Sequence, residues 1–217
     1  MADFNGSLER RPELCQLVKY HLKYTFVPHF LLAILLLLIT PLIFGVEHLD
    51  AISSAIPLEL FVSLTGIVLV TPVMAPELRS KTRDLLSVRR VSLLTLWLLR
   101  LLCALVVLLA LIALFTGAMG LGHCQVSFRH IWGCFISAFF LGALGCLTLS
   151  ATENIAAAYM LPLLVYGMNM AGGKKLGSFY LFSLTMGEWG SKNWMLLLAL
   201  GFCAAAFGVQ WWRRHKS

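Results

Sequence analysis

Apolar residues in this chain come in long blocks rather than in stripes. Six near-continuous hydrophobic blocks, at about 27–46, 55–75, 92–117, 131–151, 155–173 and 194–212, are separated by short polar segments. A bilayer core about 30 Å thick is crossed by roughly 20 helical residues, and each block is about that long. None shows the single apolar face of a helix lying on a soluble core. The pattern predicts an all-α membrane protein with six transmembrane helices, built as a single transmembrane domain over residues 1–217.

Three stretches do not fit a span. In residues 1–26, Leu14, Leu17, Val18, His21, Leu22 and Thr25 recur at helical spacing opposite Glu13, Gln16, Lys19 and Lys23, and Pro12 suits a first helical turn. This predicts an amphipathic helix lying on the membrane surface. Between the second and third blocks stands PELRSKTRDLLSVRR, Pro76 to Arg90, with Leu78, Leu85 and Leu86 on one face and Arg79, Arg83 and Arg90 on another. Glu77 and Lys81 are four apart, in the favourable order. Pro76 and Glu77 suit the start of a helix. Between the fifth and sixth blocks, Phe179 to Met186 is apolar but too short to cross, and Gly177 and Gly187 bracket it. That predicts a re-entrant or interfacial hairpin before the last span.

Charge orients these elements. Lys and Arg number 17 against 10 Asp and Glu, a net +7, and charged residues are only 12% of a chain that is 59% hydrophobic. A soluble domain carries roughly a quarter charged residues, so disorder and a soluble globular enzyme are poor readings. Arg10, Arg11, Lys19, Lys23, Arg79, Lys81, Arg83, Arg89, Arg90, Arg213, Arg214 and Lys216 fall on one side of the six-span layout. Arg129, Lys174, Lys175 and Lys192 fall on the other. By the positive-inside rule both termini are expected in the cytoplasm, in the plasma (inner) membrane. The basic excess then marks topology and contact with membrane lipids, not nucleic acid.

Candidate chemistry is sparse. The chain has no GxxxxGK[ST], GxGxxG or HExxH. Its six cysteines form no CxxC pair, and Cys103, Cys134, Cys146 and Cys203 lie inside apolar runs, so they read as small buried hydrophobes. His29, His48, His123 and His130 do not share a helical metal spacing. Glu59, near the outer end of the second span, reads as exposed at the interface or as part of an outer gate or proton relay. Glu188 in the hairpin segment is read in the same way. Arg100 lies two to three turns into the third span. It either snorkels to the inner headgroups or makes a salt bridge or substrate contact, with Glu153 as one candidate partner. Small residues in the fourth span, with Ala138/Gly142 and Gly142/Gly145 spacings, suit close helix approach.

The Pro76–Arg90 stretch resembles the cytoplasmic coupling helix of ABC-2 type ABC-transporter permeases. The matching residues are Glu77, Thr82, Asp84, Leu85, Leu86 and Ser87, leading into the apolar run from Leu93. Lys81 stands where that family usually has Gly, and Arg89 and Arg90 stand near its usual Pro. Six spans, an N-terminal interfacial helix, an extracellular hairpin before span six and cytoplasmic termini are similar to the family as well. The resemblance implies a non-catalytic transmembrane subunit, with no cofactor of its own, that pairs with a second copy or a sister permease. ATP and Mg would be bound by a separate ABC ATPase subunit docking at Glu77, Leu78, Arg79, Lys81, Thr82, Arg83, Asp84, Leu85 and Leu86. It implies export of a hydrophobic or amphipathic compound (peptide, drug or lipid), from a bacterial cell. Two other classes stand beside it. One is an ATP-independent secondary transporter or immunity-type membrane protein. The other is a membrane-embedded lipid-modifying enzyme.

Overall fold

The computed structural model describes residues 27–78, 93–173, 180–187 and 189–216. Those residues are mostly helical and contain no strand. Six of the helices are long and apolar enough to cross a membrane. The first span is α1, Val27–Phe44. It stops two residues before the apolar block does because Gly45 takes φ 60°, and its N–H bonds the Pro41 carbonyl at 3.0 Å. A left-handed residue of this kind is an ordinary helix stop.

The second span begins at Ala51, earlier than hydropathy suggests, because Asp50 caps it by accepting from the Ser53 N–H. It is also not one regular helix. α2, Ala51–Pro57, gives way to a π-helical turn, Leu58–Val62, then to α3, Leu64–Val70, and then to a 3-10 stretch, Thr71–Leu78. Pro57 cannot donate to a carbonyl one turn back, and the chain widens at that point, with Ser63 N–H reaching the Leu58 carbonyl five residues back at 3.1 Å. Pro76 falls inside the closing 3-10 stretch rather than opening a new helix, because the helical backbone already runs without a break from Thr71.

The remaining spans are α4, Leu93–Leu121; α5, Phe128–Thr152; α6, Ile155–Gly172; and α7, Gly190–Lys216. Asn154 caps α6 by accepting from the Ala156 and Ala157 N–H groups. Between α6 and α7 a 3-10 turn, Ser183–Met186, ends at Gly187, whose φ is 73°. Leu181, Phe182, Ser183 and Leu184 are buried, so this short segment is packed into the bundle.

The second span and α5 form the centre, 72% and 78% buried, whereas α1 and α6 are each 17% buried. Lipid tails are as apolar as Leu, so helix association rests on close packing and hydrogen bonds rather than on escape from water. The sequence achieves this with glycine. A Cβ on Gly66 of α3 would lie 2.0 Å from the Ala138 carbonyl oxygen of α5. One on Gly142 would lie 2.6 Å from the Gly66 oxygen. The small-residue spacing in α5 therefore serves backbone contact with the second span.

The N-terminal segment 1–26, the residues 79–92 that carry Arg79, Lys81, Thr82, Arg83, Asp84, Leu85 and Leu86, the pair Lys174 and Lys175, and Glu188 lie outside the described residues. Glu77 and Leu78 are described as backbone only, at the end of the 3-10 stretch.

Candidate functional site

Glu59 lies in the widened turn of the second span, Leu58–Val62. Glu59 is fully buried and is not exposed at an interface. The 3-10 turn and α7 close over it, because its carboxylate is the acceptor both of them require. Lys192 of α7, also fully buried, places Nζ 2.6 Å from Glu59 Oε1. The same oxygen accepts from the Leu184 N–H at 3.2 Å, and Oε2 accepts from the Thr185 N–H at 3.1 Å. These two N–H groups belong to the first turn of Ser183–Met186, where helical backbone has no internal acceptors.

Lys192 is equally well supplied. Its ammonium donates to Glu59 Oε1, to Ser137 Oγ of α5 and to the Leu181 carbonyl, each at 2.6 Å. An ammonium has three donors, and all three are used. Ser137 Oγ itself donates to the Leu181 carbonyl at 3.2 Å. Burying an ion costs several kcal/mol even after relaxation. The pair is tenable here because the charges cancel and the bonds around both groups are complete.

A second layer holds the surrounding backbone. Asn169 of α6 is buried, accepts from the Leu181 N–H at 2.9 Å and donates to the Val165 carbonyl at 3.0 Å. Tyr166 donates to the Leu60 carbonyl at 2.6 Å, and the Cys134 thiol to the Leu58 carbonyl at 3.0 Å. Two carbonyls of the widened turn thus receive side chains from α5 and α6. The cluster joins the second span, α5, α6, the 3-10 turn and α7 at one end of the bundle.

Ser137 beside Lys192 has the composition of a Ser–Lys catalytic dyad. Such a dyad needs a lysine free to take the serine proton. Here the ammonium donates to the serine, to a carboxylate and to a carbonyl, and all the groups are sealed from solvent. The arrangement clamps; it does not activate a nucleophile.

No known family, curated protein or solved structure matches this chain.

The opposite end of the bundle carries a different pair. Glu153 closes the α5–α6 turn with φ 54°. Its carboxylate is held 2.5 Å from an Arg213 nitrogen of α7, and Arg213 also donates to the Ala151 carbonyl. Glu153 is therefore engaged by Arg213, because the turn it occupies lies beside the far end of α7. Arg100 is 8% exposed, covered by protein on α4. It lies near the start of α4 while Glu59 lies near the start of the second span. Consecutive spans run in opposite directions, so the two charges sit in opposite halves of the bundle and do not form one site.

Among the described residues, no three His, Cys, Asp or Glu side chains gather as a metal site. The described cysteines are all free thiols, and all but Cys103 are buried. Lys192, Ser137 and Tyr166 were not legible as site residues. Lys192 counts as a loop charge in a hydropathy reading, and only the rule that a charge inside a span needs a partner points to it.

Proposed function

We propose that this chain is the membrane-spanning subunit of an ABC-2 type transporter. It would pair with a second copy or a sister permease, be driven by a separate ATPase, and export a hydrophobic or amphipathic compound. The observation that carries this reading is the order of elements. Among the described residues there are six membrane-length helices, and a short non-spanning segment packed into the bundle stands between the fifth and sixth. The basic segment resembling a coupling helix lies in the loop at the other end. In this reading the termini and that segment are cytoplasmic, and the segment at 180–187 is the outer hairpin.

The Glu59–Lys192 clamp then has a mechanical role. It ties the outer hairpin to α5, the second span and α7, so a push on the 76–90 segment at the foot of the second span is carried to the outer gate as one body. The test is co-expression with candidate ATPase subunits encoded beside it, followed by purification through this chain. Retention of an ATPase that is lost on replacing Glu77 and Leu85 together supports the reading; an assembly and ATP hydrolysis indifferent to both removes the docking role.

A second reading has one specific observation in its favour. A buried carboxylate inside a span is what proton-coupled transport uses, and Glu59 is one. Transport that follows a pH gradient in vesicles lacking any ATPase selects that reading over the first.

A further inference from the structure

The geometry points to a two-histidine site for a divalent transition-metal ion, formed by His48 and His123 at the same end of the bundle as the Glu59 cluster. The sequence separates these residues widely, but the loops that carry them are fastened together. His48 N–H bonds the Gly122 carbonyl at 3.0 Å, and Gln125 N–H bonds the Leu49 carbonyl at 2.9 Å. A Cβ on Gly122 would lie 2.8 Å from the Val46 carbonyl oxygen, so the α1–α2 and α4–α5 loops approach as closely as backbones can. His130 adds a further tie by bonding the Ala51 carbonyl at 2.8 Å.

On this fastened pair of loops the two imidazoles stand side by side, exposed, with centroids 5.4 Å apart and planes 6° from parallel. A tetrahedral ion about 2.0–2.1 Å from one nitrogen of each ring sets the ring centres roughly 5 Å apart. The observed spacing is close to that; the rings stand in near-parallel planes, so an ion would draw one nitrogen of each to a common point by rotation about the side-chain bonds. Both residues also hold left-handed backbone, φ 53° and 58°. Left-handed backbone is tolerated by His, and at His123 it belongs to the turn that ends α4, where the Cys124 N–H bonds the Met119 carbonyl at 3.2 Å.

Charge agrees. The two loops, residues 45–50 and 122–127, contain Glu47 and Asp50 and no Lys or Arg; Arg129, just beyond, is the first basic residue. Imidazole nitrogen suits zinc, copper and nickel. Water would complete the coordination, since Cys124 is buried with its thiol directed to the Val46 carbonyl. The site stands whether or not the transporter reading does.

The test uses full-length protein carrying a tag without histidine, in detergent, titrated with Cu2+ and Zn2+. Asn is the substitution of choice because it tolerates left-handed backbone. The expected result is one site whose Cu2+ spectrum shows two imidazole nitrogens. His48→Asn and His123→Asn each weaken binding at least about tenfold, while His29→Asn leaves it unchanged and all variants elute as the parent does. Binding that survives both single variants, or a parent that binds neither ion more tightly than they do, means that the rings only stack and overturns the proposal.

Discussion

Replacing Lys192 by Met removes one charge from a sealed, neutral cluster. Glu59 would keep its bonds from the Leu184 and Thr185 N–H groups but lose its counter-charge, and Ser137 and the Leu181 carbonyl would lose a donor. Breaking a buried pair from one side costs about 3–5 kcal/mol, whereas replacing both partners by neutral groups of similar size is often nearly neutral. Lys192→Met alone is therefore expected to lower the apparent melting temperature in detergent by roughly 6–20 °C. Glu59→Gln with Lys192→Met should recover most of that loss, because the Gln carbonyl still accepts from the 3-10 turn. The assay is a double-mutant cycle on thermal unfolding followed by size-exclusion chromatography. Two single losses that simply add would refute the closed cluster, since groups that share no partner behave independently.

Three further outcomes follow from the packing and the caps. Gly66→Ala is expected to destabilise by about 1–3 kcal/mol by forcing α3 from α5, whereas Gly167→Ala, which meets nothing within 4 Å, should be silent in the same melting assay. Removing the exposed Arg213–Glu153 pair, 34% and 52% accessible, should change stability by no more than about 1 kcal/mol and by less in high salt. Hydrogen bonding from Ser53 holds the Asp50 carboxyl below the ordinary carboxylate range. The cap's contribution is therefore complete above that range and fades as pH falls through the lowered value. Amide protection factors at residues 51–54, exchange corrected for its intrinsic pH dependence, should fall there in the parent and stay level in Asp50→Asn; protection in the parent that does not change with pH would contradict the cap.

Span number and approximate position were legible because membrane crossing is a matter of local composition, and six apolar blocks became six helices. What was not legible depends on partners distant in sequence. The second apolar block reads as one helix, and its break after Pro57 is visible only once Cys134 and Tyr166 are found bonding the Leu58 and Leu60 carbonyls. Glu59 looked like an interface residue because hydropathy sees its neighbours and not Lys192. The histidines looked unrelated because helical spacing is the wrong test for two residues on different loops. The glycine pattern in α5 was readable as close packing, but its partner, Gly66, was not.

Glu59 and Lys192 are 133 residues apart. At roughly 5–20 residues per second, the carboxylate is made roughly 7–27 seconds before its lysine exists. For that interval the second span carries an uncompensated acid, and the 3-10 turn at Ser183–Met186 has no lysine to close against. A truncation before Lys192 would therefore leave a form recognisable to quality control as unfinished.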